Sequence, residues 1–197
     1  MFAVVVVFLT LVEYGFMLRL GWNPLGSSDV PWPSGLALGP LGWLQVLNFA
    51  FFGLTLIFFA LGLHRGVAPS GRLSWVGPTL LVVAGVALVL AAFKTDAHLM
   101  QGPQTWHGAI HFVAFLLLAL SFLLSLFFWW RRLGRDPLWR GYAIYTLITS
   151  LLYLVLLFAS AWQWGFYLFL ANVLIWVGLM ALHLRSQAER TTPPRVR

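Results

Sequence analysis

WHGAIHFVAFLLLALSFLLSLFFWW, residues 106–130, runs from one tryptophan to a pair of them without an Asp, Glu, Lys or Arg. A surface helix of a soluble protein keeps one polar face, whereas this stretch is apolar nearly all round. Crossing the hydrocarbon core of a bilayer takes about 20 helical residues, so the stretch is long enough to span a membrane. Its two histidines, His107 and His111, stand at the leading end.

Working outward, five further apolar runs lie near 1–20, 40–63, 74–93, 139–160 and 165–184. The expectation is an all-α integral membrane bundle of six transmembrane helices forming one domain, 1–184. The last stretch, RSQAERTTPPRVR at 185–197, reads as a polar, disordered tail. Composition supports the class: 61% of the 197 residues are hydrophobic and 9% charged, against about a quarter charged in a soluble domain. The net charge of +7 does not indicate nucleic acid, because Lys and Arg punctuate the ends of apolar runs instead of gathering on one solvated face. There is no cysteine, so any metal rests on His, Asp and Glu. The first run carries Glu13 inside it and has neither a basic leader nor a small-residue cleavage site, so it reads as a retained helix.

The breaks between runs have physical causes. GWNPLGSSDVPWPSGLALGP, residues 21–40, is rich in Gly, Pro and Ser, and Pro40 stands where a helix first turn tolerates proline. Ser74 and Thr105 are candidate N-caps. Tryptophans gather near both ends of the runs, as in interfacial aromatic belts. All but two of the twelve Lys and Arg, namely Arg19 and Lys94, fall in the loops and tail of one side. Basic loops stay in the cytoplasm, so both termini are expected there, with 94–105 outside. The expected location is the cell membrane, and specifically the prokaryotic plasma membrane.

Three stretches together carry a family likeness: GPLGWLQVLNFAFFGL at 39–54, FKTD at 93–96 and TWHGAIH at 105–111. They resemble the bacterial and archaeal membrane proteins catalogued as domain-of-unknown-function family 998. The likeness covers most of the chain in order and spacing. It implies a multi-helix membrane fold and supplies no established activity. Members of that family commonly carry proline where this chain has Lys94.

The polar residues inside the apolar runs are the candidates for chemistry. His107 and His111, four apart, share one face of a helix. Asp96 and His98 close the preceding run on the same side, where a carboxylate orients an imidazole or completes a metal shell. Asp96, His107 and His111 are therefore expected to form one constellation, with His98 a further member and all four as candidate ligands of a divalent metal. Glu13, Gln45 and Asn48 lie at matching depth and, with Thr105, are candidate pocket residues. An ionisable group in a membrane helix costs roughly 2.5 kcal/mol or more unless paired or wet, so Glu13 should face inward. Each has a plainer reading too, as interhelical hydrogen bonding. Ser27, Ser28 and Ser34 are possible nucleophiles without a surrounding motif. His64 and His183 fit helix C-termini without further role.

Three functional readings stay open. One is a membrane-embedded, metal-dependent or acid–base enzyme acting on a lipid or lipid-linked substrate through Asp96, His98, His107 and His111. Another is a non-enzymatic bundle whose polar cluster opens to the extracytoplasmic side and binds a small molecule. The third is haem binding, which needs histidines from different helices because axial ligands approach opposite faces of the ring. Membrane lipids are the expected partners, nucleic acid is not, and neither substrate nor oligomeric state is legible.

Overall fold

The computed structural model describes residues 1–26, 29–69, 71–98 and 101–191. Ser27 and Ser28 lie outside the described residues. The elements in chain order are α1 (Phe2–Val12), α2 (Tyr14–Arg19), a short 3-10 turn (Ser34–Leu38), α3 (Gly42–Gly66), α4 (Val76–Leu90), α5 (Trp106–Leu133), α6 (Arg140–Ala159) and α7 (Gln163–Thr191). The described residues contain no strand. Helices α3, α5, α6 and α7 are long and apolar enough to cross a membrane. The protein is accordingly an all-helical membrane protein.

Three of the expected runs have different bounds. The first is two helices, because the chain turns at Glu13 (φ −100°, ψ 15°) and its carboxylate is captured by the start of α3. The third shortens to the 15 residues of α4, about 22 Å at 1.5 Å per residue, less than the ~30 Å of bilayer hydrocarbon. Its last turn gives way to a loop whose carbonyls at Phe93 and Lys94 bind side chains of α5. The sixth runs on through Thr191, so the helix takes up the first part of the expected tail. Arg185 and Glu189, one turn apart on it, form an ion pair of 2.7 Å, a spacing that supports helices.

Consecutive long helices pack pairwise, α3 on α4, α4 on α5, α5 on α6 and α6 on α7, and α7 returns to α3. The five thus form a closed ring, with α1 and the 3-10 turn laid against α3. Two apolar cores stack along the ring. One is built around Trp129, Trp139, Trp176 and Phe122, the other around Leu9, Met17, Leu36 and Phe49. Buried aromatic tips need partners where no water reaches. Tyr153 donates to the Ala119 carbonyl (3.0 Å), Trp176 to Thr146 Oγ1 (3.0 Å) and Trp139 to the Gly66 carbonyl (3.2 Å).

The up-and-down connectivity sends loops 20–41, 91–105 and 160–162 to one end of the ring, and 67–75 and 134–139 to the other. The second end is tied by Arg132, which is 3% exposed. It donates to the carbonyls of His64 (2.8 Å), Val67 and Ala68 (3.1 Å) at the C-terminus of α3, to Ser74 (3.0 Å), and to His64 Nδ1 (2.9 Å). Those helix-end carbonyls have no partner within the helix. Asp136 complements it by accepting from the Ala68 amide (2.9 Å).

Candidate functional site

At the first end, two carboxylates hold helix starts, where the macrodipole favours negative charge. Asp96 Oδ2 accepts from the amides of Gln104 (2.8 Å) and Thr105 (3.2 Å), and Oδ1 from the Thr105 hydroxyl (2.6 Å). Thr105 in turn caps α5 by accepting from the Gly108 amide (3.1 Å). Glycine at 108 is a packing requirement: a Cβ there would stand 1.9 Å from Asp96 Oδ2. The Thr105 hydroxyl holds the Asp96 carboxyl below the usual carboxylate range; the two amides and His107 act the same way and burial opposes them. Glu13 does the equivalent for α3, with Oε1 accepting from the Leu41 amide at 2.5 Å and Gly39 leaving room, since a Cβ would stand 2.0 Å from Oε2.

The remaining expected residues have separate partners. His107 Nδ1 lies 2.9 Å from the Lys94 carbonyl and 3.0 Å from Thr105 Oγ1, so Asp96 and His107 meet through one threonine hydroxyl. His98 Nδ1 lies 3.2 Å from Asp29 Oδ2. His111 points elsewhere, to the Phe93 carbonyl and to Ser34. Asn48 donates to the Phe2 carbonyl and to Gln45 Oε1, each at 3.2 Å, which ties α1 to α3. Gln45 Nε2, Asn48 Oδ1 and Glu13 Oε2 are buried with no hydrogen-bond partner among the described residues. Among those residues no three His, Asp or Glu side chains gather as a metal would require. On the opposite end, His64 is engaged by Arg132, and His183 lies 3.2 Å from the Leu138 carbonyl and packs against the Trp139 and Tyr142 rings.

His111 is 7% exposed. Its Nδ1 is 2.8 Å from the Phe93 carbonyl oxygen and its Nε2 is 2.9 Å from Ser34 Oγ. A carbonyl only accepts, so in the neutral ring Nδ1 carries the proton and Nε2 presents its lone pair to the serine hydroxyl. The helix-breaking segment 31–33 delivers Ser34 to this position at the start of the 3-10 turn.

Ser34 and His111 line two adjoining spaces. One, about 90 Å³, runs down the centre of the ring past Phe49, Leu56, Phe122 and Tyr153, and its wall is almost wholly hydrocarbon and aromatic. The other, about 270 Å³, lies toward the loops and includes Thr95, Ser160 and Gln163. The arrangement is an apolar shaft beneath a mouth where Thr95, Ser160 and Gln163 add polar groups to a mainly apolar wall, with a serine–imidazole pair at their junction.

Gln163 is a residue that sequence reasoning missed. It is 6% exposed; Oε1 accepts from Trp22 Nε1 at 3.1 Å, which turns Nε2 away, and that donor is buried without a partner among the described residues. The signal was available, a lone amide opening an apolar run, but its meaning depends on Trp22 from 141 positions earlier. Asp29, Arg132 and Asp136 were likewise visible only as loop charges.

The family described as Protein of unknown function (DUF998) matches the chain over residues 2–185. No curated protein and no solved structure matches it.

Proposed function

The chain belongs to the DUF998 family, and from that premise and the site geometry we propose that it is a multi-pass protein of the cell membrane that takes the apolar chain of a lipid into its ring of helices. The observation that carries this reading is the apolar shaft from Ser34 and His111 to Leu56 and Tyr153. A cavity walled by hydrocarbon stays dry, and at about 90 Å³ it suits a short stretch of a hydrocarbon chain, with the ester or headgroup left among Thr95, Ser160, Gln163 and Ser34. Val173 of α7 lines the shaft. Filling it with Val173→Trp should reduce several-fold the lipid that copurifies with the protein, measured by mass spectrometry of a detergent extract. Equal lipid in both proteins would count against the reading.

In this proposal all six apolar segments lie within the bilayer, α1 with α2 and the short α4 included, the C-terminus is cytoplasmic and the mouth faces outside. The charge asymmetry supports the orientation: Arg65, Arg72, Arg131, Arg132, Arg135 and Arg140 occupy one end, and Arg19 and Lys94 the other. A chain with no native cysteine lends itself to labelling. Cysteine at the exposed position Gln101 should react with an impermeant maleimide in intact cells, and cysteine at Gln187 should react only after lysis. The reverse pattern would invert the orientation.

A further inference from the structure

We infer that Ser34 is a nucleophile and His111 its general base, so that the protein cleaves or transfers the acyl ester of the lipid whose chain lies in the shaft; this rests on the lipid-binding reading above. The geometry has the three parts such chemistry needs. A serine hydroxyl stands 2.9 Å from an imidazole nitrogen, and the other nitrogen is held at 2.8 Å by a fixed acceptor, the Phe93 carbonyl. A nucleophile next to a base that is itself oriented by a third group is the general signature of an activated serine. Here a main-chain carbonyl takes the place that a carboxylate often fills.

The third part is the donor for the negative oxygen that forms during attack. Gln163 is one of the residues that line the space shared with Ser34 and His111, and its Nε2 is the donor we assign to that oxygen. It is buried, has no partner among the described residues, and is aimed by the bond from Trp22 to its oxygen. A buried donor kept unsatisfied costs the fold stability, and a developing oxyanion is a group that could accept from it.

Ser34 Oγ attacks the ester carbonyl carbon, and its proton passes to His111 Nε2. Gln163 Nε2–H stabilises the tetrahedral oxygen. The bond from that carbon to the leaving alcohol's oxygen breaks, and His111 returns the proton to the departing alkoxide. Water, or a second alcohol, then attacks the acyl–Ser34 ester and gives its proton to His111. The Ser34 oxygen leaves and takes that proton, releasing a fatty acid or a new ester. The sequence uses no reactant beyond ester and water or alcohol.

The probe is a long-chain alkyl fluorophosphonate, whose phosphorus a nucleophilic serine oxygen attacks, forming an O–P bond and displacing fluoride. Full-length protein in detergent should gain one adduct by intact mass, mapped to the peptide containing Ser34. Ser34→Ala should abolish the adduct. His111→Gln should slow its formation at least 100-fold. Gln163→Leu should slow it by 10²-fold to 10³-fold, the effect of removing one oxyanion donor elsewhere, with melting temperatures recorded for each variant. A short-chain fluorophosphonate should react more slowly than the long-chain one. Wild type that stays unlabelled at Ser34, or labelling indifferent to His111→Gln in a folded variant, overturns the inference. If the wild type stays unlabelled while Val173→Trp still loses lipid, the nucleophile falls and the lipid reading stands; if neither is seen, both fall.

Discussion

Replacing Arg132 with leucine should lower the stability of the protein by about 3 kcal/mol or more, since several buried acceptors lose their donor at once and each is worth roughly 1 to 3 kcal/mol when left unmade. The acceptors are the carbonyls of His64, Val67, Ala68 and Ser74, and Arg132 also stands over Trp129 at 5.0 Å from the ring centre. In thermal unfolding in detergent this amounts to a fall of roughly 6 to 12 °C for a chain of this size. Arg132→Lys should recover only part of it, because an ammonium lacks the planar fork that reaches carbonyls on both sides. Arg131→Leu, the exposed neighbour, should change stability by no more than about 0.5 kcal/mol. Equal melting of the Arg132→Leu and Arg131→Leu proteins would show that the α3 C-terminus is held by something else.

The second large effect is expected where α3 and α4 cross at Gly53 and Gly85. A Cβ at Gly53 would stand 2.6 Å from the Gly85 carbonyl oxygen and 2.8 Å from the Val89 amide nitrogen, and one at Gly85 would stand 2.9 Å from the Gly53 carbonyl. The Val89 and Ile57 side chains crowd these positions as well, but those three obstacles are backbone atoms, which do not swing away. Membrane helices, which gain little from burying hydrocarbon against each other in lipid, associate by close approach at small residues, and this crossing uses that device. Overpacking costs about 1 to 3 kcal/mol and occasionally more, so Gly53→Leu should reduce the yield of folded, monodisperse protein severely. Gly178→Leu on α7, where nothing lies within 4 Å of a Cβ, is the control and should be neutral. Comparable yields from the two would remove the crossing as a determinant of the ring.

Much of the ring was legible because hydrocarbon content alone marks helices in a membrane protein. The run at 106–130 lies within α5, and the caps at Thr105 and the break before Gly42 follow from residue chemistry. The turn at Glu13 was not legible, since it depends on a carboxylate meeting the start of a helix 28 positions away. The extent of α4 was hidden for a similar reason: the residues after Leu90 are apolar enough to continue, but the Phe93 and Lys94 carbonyls are committed to histidines. For the site, spacing correctly placed His107 and His111 on one helix and Asp96 beside its start. Spacing says nothing about which way each ring turns. One ring joins Asp96 through Thr105 and the other faces Ser34, a serine that sequence could only number among several. Gln163 acquires meaning solely from Trp22.

The central claim is that a lipid chain enters the ring and does not merely coat it. A phospholipid carrying a diazirine at the end of one acyl chain, photolysed with the purified protein in bilayers and mapped by peptide mass spectrometry, tests it most directly. Crosslinks should appear on the shaft's inner wall, at Leu56, Phe122, Tyr153 or Val177, and Val173→Trp should remove them. Crosslinks confined to outward side chains such as Phe58, Val155 and Phe158, which are 71%, 63% and 76% exposed, would contradict the claim.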